Sequence, residues 1–142
     1  MPVDYRIFDA PPLVAIRYHG HVETHEITRA LGTFAEAEQS YADVPHLFDL
    51  TDVTSYDFDY PEFFRLIGKL AEVYPPTLQE QFFVFLAPPG IPAELAATLR
   101  QPYDRSDTIL VRVATTRVEA SEILGFANLP PPLQPADRNF PR

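Results

Sequence analysis

Apolar residues open the chain in two segments, Tyr5 to Phe8 and Leu13 to Tyr18, separated by Asp9-Ala10-Pro11-Pro12, whose aspartate and prolines favour a turn. The pair predicts a β-hairpin. In the second segment Val14, Ile16 and Tyr18 share one face, and Leu13, Ala15, Arg17 and His19 share the other, which grows polar toward its end. Gly20 is expected to break this strand. Thr24 is placed to cap a helix in which Ile27, Ala30, Leu31, Phe34 and Ala35 recur at three- and four-residue steps. After Pro45, the run His46 to Leu50 has the length and composition of a buried strand. A second helix is predicted from about Tyr60, with Pro61 in its first turn and Asp59 and Glu62 spaced as a capping box. Pro75-Pro76 stops it. Phe82 to Leu86 is continuously apolar and is expected to be a strand buried on both faces. A short helix from Pro92 would bury Leu95, Ala96 and Leu99. Ile109 to Val113 reads as a last strand, and Thr116 with Glu119 as a capping box ahead of Ala120, Ile123 and Leu124.

Strands and helices thus alternate behind an opening hairpin. That order predicts a single α/β domain with a mixed, mostly parallel five-stranded sheet and about four helices, its one antiparallel strand coming from the hairpin. The domain is expected to span residues 1–126. Residues 127–142 are rich in proline and lack periodicity, so they read as an extended tail, pinned to the surface by Leu129, Leu133 or Phe140.

A length of 142 residues fits one domain, and 46% hydrophobic residues supply a core, which excludes a disordered chain. Eleven Lys and Arg against 20 Asp and Glu leave a formal charge of -9, a poor match for a phosphate backbone, so no nucleic-acid partner is expected. No apolar run approaches the ~20 residues of a membrane span, although peripheral lipid contact stays open. The N-terminus carries no signal pattern and the chain has no cysteine, so a cytoplasmic location is expected, with no disulfide and no cysteine-ligated zinc.

Candidate chemistry is sparse. His19, His21 and His25 stand near Glu23 and Glu26, but the fourth position after His25 is Arg29, so the paired-histidine helical zinc motif is missing. The histidines read as solvated loop residues and no metal site is expected. Among the carboxylates, Asp59 is explained as a cap and Asp52 and Asp57 as turn formers. Asp49, at the end of a buried strand, has no such explanation and stands where open α/β sheets bind ligands. Paired with His19 or His21 it would make a general base near neutral pH, the alternative reading as an enzyme. The five glycines form no phosphate loop, nucleophile elbow or dinucleotide fingerprint, and no cofactor is expected.

The strongest signal is aromatic. Tyr56, Phe58, Tyr60, Phe63 and Phe64 fall within nine residues, across the expected loop after the third strand and the first turn of the second helix. One loop and one helical face cannot readily hide five rings in a small core, so some are expected to line a pocket, a dimer contact or a surface patch.

The run Val14-Ala15-Ile16-Arg17-Tyr18-His19-Gly20-His21-Val22-Glu23-Thr24 resembles the strand, glycine and threonine-capped helix of SpoIIAA-like proteins of the STAS superfamily. Leu47-Phe48-Asp49-Leu50-Thr51-Asp52-Val53 is similar to their central strand ending in Asp, and Val111-Arg112-Val113 through Glu119-Ala120 to their final strand and helix. The resemblance covers roughly Tyr5 to Phe126. It implies helices packed chiefly on one side of the sheet and no catalytic machinery. STAS relatives include anti-sigma factor antagonists switched by phosphorylation of a serine after the central strand, which would place regulation at Ser55, with Thr54 behind it. The usual Asp-Ser-Ser/Thr-Gly pattern is absent there, and a phosphate beside Asp52, Asp57 and Asp59 would meet like charge. The fold is also similar to lipid-binding CRAL-TRIO-type domains. The expectation is therefore a non-catalytic domain, dimeric or monomeric, that binds a protein partner or a small apolar or amphipathic ligand through its aromatic region.

Overall fold

Val3–Asp9 (β1) and Pro12–Glu23 (β2) form the expected antiparallel hairpin, turning at a cis Ala10–Pro11 peptide bond. In this computed structural model, which describes residues 3–27, 44–73, 81–103 and 109–132, three further strands continue the sheet in parallel. These are His46–Asp57 (β3), Gln81–Leu86 (β4) and Ile109–Ala114 (β5), giving a five-stranded mixed sheet in the order β1-β2-β3-β4-β5. Helices α1 (Tyr60–Val73), α2 (Ile91–Arg100) and α3 (Arg117–Leu124) are joined by a helical start at residues 24–27. Ala30, Leu31, Phe34 and Ala35, expected to continue that first helix, lie outside the described residues, as do Leu133 and Phe140.

Strand order here equals sequence order, so crossovers of one hand all pass over the same face of the sheet. Ile27, Phe63 of α1, and Leu95, Ala96 and Leu99 of α2 accordingly pack against Val14, Ile16, Phe48, Leu50, Phe83 and Phe85. Phe83 meets Phe48 edge-on at 5.3 Å and Tyr103 at 5.7 Å, the offset geometry that ring quadrupoles favour. Only α3 follows the last strand, and it folds onto the opposite face, where Ala120, Ile123 and Leu124 join Leu13, Ala15, Leu47, Val84 and Leu86. Thr116 caps it as expected, accepting the Glu119 N–H at 3.1 Å, and Gly125 ends it in the left-handed region. Leu129 packs on this second face. Pro130, Pro131 and Pro132 lie against Leu13, Ala15 and Leu47, and Arg117 donates to the Pro130 carbonyl.

Two expectations about strand ends are corrected. Gly20 does not break β2: at φ 69° it takes a conformation that side chains resist, the β2–β3 register shifts beside it, and the strand runs on to Glu23. Likewise β3 does not stop at Leu50, and Asp52 and Asp57 are strand residues rather than turn formers. Among the described residues there is no β1 partner beyond Tyr18 and no β4 partner beyond Asp49, so there residues 19–23 and 52–57 pair with each other. They form a two-stranded parallel ribbon overhanging the sheet. Val22 and Val53 are buried on it, each between polar neighbours in the sequence.

Candidate ligand-binding cleft

The overhanging ribbon places the ends of β2 and β3 side by side, Glu23 in register with Asp57, and a helix begins just beyond each. Thr24 locks the two ends together. Its buried hydroxyl donates to the Asp57 carbonyl at 3.3 Å and accepts from the Asp59 N–H at 2.7 Å. It does not act as the cap of its own helix. That role falls to Glu26, whose Oε1 accepts the Glu23 N–H at 3.0 Å, the carboxylate half of a capping box. Across the gap Asp59 caps α1, accepting the Glu62 N–H at 3.1 Å. Thr24→Val should cost about 1–3 kcal/mol in urea unfolding, because the Asp59 N–H then loses its acceptor at nearly constant side-chain volume.

Between these ends opens a cleft of about 580 Å³, within the range of small-molecule sites and outside the carboxyl ends of two parallel strands. Glu23 and His25 form one wall. Asp57, Asp59 and Glu62 provide carboxylates on the other, beside Phe58, Tyr60 and Pro61. Its described lining includes no lysine or arginine, so the site offers rings and negative charge together.

The five aromatic residues divide between core and surface. Phe63 is 3% exposed and belongs to the main core. Tyr56, at the end of β3, and Phe58 are half-buried against that core. Phe58 stacks edge-on to Tyr60 at 4.8 Å and to Phe63 at 4.9 Å, linking the interior to the cleft. Tyr60 and Phe64 are 52% and 63% exposed. The ring surplus is therefore resolved partly by burial and partly by an exposed pair four residues apart on α1, of which Tyr60 lines the cleft.

Asp49 is not at a strand end. It sits inside β3, where its Oδ1 accepts the Thr51 N–H at 3.0 Å and its Oδ2 lies 3.5 Å from Arg117. His19 Nε2 lies 3.2 Å from Asp4 Oδ2, and His21 Nδ1 lies 2.7 Å from Ser55 Oγ. Asp49 makes no hydrogen bond or ion pair with His19 or His21 among the described residues, so the geometry does not assemble the Asp49–His base. Thr54 is exposed on β3, and Ser55, half-buried, spends its hydroxyl on His21.

Sequence reading missed Glu23, His25, Asp57 and Glu62 as cleft residues because it ended both strands early. Val22 and Val53, each isolated among polar neighbours, were the signal that the strands continue with one buried face. No helix among the described residues is long and apolar enough to cross a membrane. Comparisons with protein-family models, with curated proteins and with solved structures found no match.

Proposed function

We propose that the protein is a non-catalytic, SpoIIAA-like binding domain that holds a small amphipathic ligand in the cleft between Glu23–His25 and Asp57–Glu62. The carrying observation is the cleft itself, about 580 Å³ with Phe58 and Tyr60 on one wall and carboxylates around them. Rings offer an apolar surface and, at their faces, attraction for a cation; the carboxylates add long-range attraction for the same charge. The ligand is therefore an amine or quaternary ammonium carrying an apolar group. Two helices begin at the cleft and their amino ends would favour an anion, but the Asp59 carboxylate already takes up the Glu62 N–H of one and the Glu26 carboxylate sits in the first turn of the other.

Native mass spectrometry and calorimetry with decyltrimethylammonium and with decanoate test this reading. The expected result is saturable binding of the cation alone, weakened about tenfold by Tyr60→Ala, a loss in the range of one cation–ring contact. Tyr60 is half exposed, so its truncation should leave the fold intact. Equal affinity for the two probes, or binding indifferent to Tyr60→Ala, would remove the basis of the proposal. The exposed Tyr60 and Phe64 favour a protein contact as the second reading, and the subunit number from the same spectra reports it.

A further inference from the structure

Residues 21–26 read His-Val-Glu-Thr-His-Glu. Strand alternation on the overhanging ribbon puts His21 and Glu23 on one side, and the helical turn starting at residue 24 brings His25 and Glu26 back toward them. The outcome is a carboxylate between two imidazoles. Glu23 Oε2 lies 3.3 Å from His25 Nδ1, and Glu23 Oε1 lies 3.9 Å from His21 Nε2. One ligand atom each from Glu23, His25 and Glu26 falls within 4.8 Å of the others.

We propose that Glu23, His25 and Glu26 bind a divalent transition-metal ion of the zinc class. The spacing supports this. Two donors held about 2.0–2.1 Å from one ion are separated by up to about 4.2 Å, and by about 3.4 Å in a tetrahedron. The 3.3 Å pair matches a tetrahedral edge.

Two features around the donors prepare them. Glu26 is anchored through Oε1 by the Glu23 N–H, which leaves Oε2 for a ligand. Neither Glu23 nor Glu26 pairs with a lysine or arginine among the described residues, so two neighbouring carboxylates carry charge that a cation would offset. Imidazole nitrogen mixed with carboxylate oxygen selects zinc, cobalt or manganese over calcium and magnesium, which take oxygen. The donors are about half exposed, so water completes the coordination and the ion exchanges readily. This site shares Glu23 and His25 with the cleft wall but does not rest on the amphipathic-ligand reading.

The test uses the full untagged chain, stripped with a chelator and titrated with zinc sulfate by calorimetry and with cobalt chloride by visible absorption. The expected result is one ion per chain in the micromolar range, with affinity reduced about tenfold or more by His25→Ala. His19→Ala, whose histidine faces Asp4, should leave binding unchanged. Glu26→Gln removes a charged donor while keeping a capping side chain, so it carries the same expectation if His25→Ala fails to fold. Absence of saturable zinc binding, or an affinity unchanged in a folded His25→Ala or Glu26→Gln protein, overturns the proposal. Either result leaves the decyltrimethylammonium experiment standing on its own.

Discussion

Arg17→Met should destabilise the protein by about 1.5–3 kcal/mol, the usual cost of losing a hydrogen bond to a buried charged group. The charge in question is Asp4, whose side chain has no exposed surface. Arg17 reaches it with Nη1 at 3.3 Å while Nε and Nη2 hold Asp52 at 3.2 and 2.8 Å, so a single guanidinium ties β1 to β3 across β2. Its own side chain is only 17% exposed, which leaves water little access to Asp4 once the arginine is gone. His19 and the other contacts of Asp4 remain in the variant, so Asp4 loses the single Nη1 donor. Urea unfolding with an unchanged denaturant slope would measure the loss. Asp4→Leu combined with Arg17→Met should recover most of it, since an apolar pair of similar volume leaves no charge to solvate. Asp52→Asn should cost under about 1 kcal/mol, because that carboxylate is mostly exposed. A small loss in Arg17→Met would mean that Asp4 does not depend on the arginine.

Acid should act on the protein through His46. Burial among Phe48 and Phe83 pushes its pKa down to about 4 from an ordinary 6.5, while its contact with the Val44 carbonyl at 2.7 Å opposes that fall. Below pH 6.5 the unfolded chain takes up a proton that the folded chain refuses until pH approaches 4. The contribution of His46 is thus complete above pH 6.5, declines as pH falls to about 4, and changes no further below that. A gap of this size corresponds to about 3 kcal/mol. Carboxylates titrate in the same range, so the measurement is the difference between the wild type and His46→Phe. The variant should be less stable at pH 7, where the Val44 carbonyl loses its donor, and should match or exceed the wild type near pH 4. Parallel stability curves for the two proteins would rule out the buried neutral imidazole.

The sheet was legible wherever burial on one or both faces imposed a pattern. Leu13 to Tyr18, Phe82 to Leu86 and Ile109 to Val113 lie in strands, and Thr116 with Asp59 caps helices as their spacing implied. The helical face was legible for Leu95, Ala96 and Leu99 for the same reason. The overhang was not. Its residues pair with a single neighbour and bury only isolated valines, so Gly20 and the aspartates read as turn signals, although the backbone used the glycine for a bulge. That error carried over to function, since it moved the end of β3 from Asp57 to Leu50 and left His21 and Glu23 outside a strand. Which of the five rings face outward depended on packing across Phe58 that no spacing encodes.

A sheet whose strands lie in the order they are translated has a consequence for biosynthesis. Each emerging strand after the hairpin finds its only upstream neighbour already in place, so assembly can follow the ribosome without waiting for distant segments. The vulnerable moment comes when Phe82-Phe83-Val84-Phe85-Leu86 has joined and Ile109–Ala114 has not yet emerged. Until then an apolar strand forms the growing border of the sheet, the kind of template that recruits other nascent chains. Translation arrest between these two strands should therefore yield the most aggregation-prone fragment of the protein.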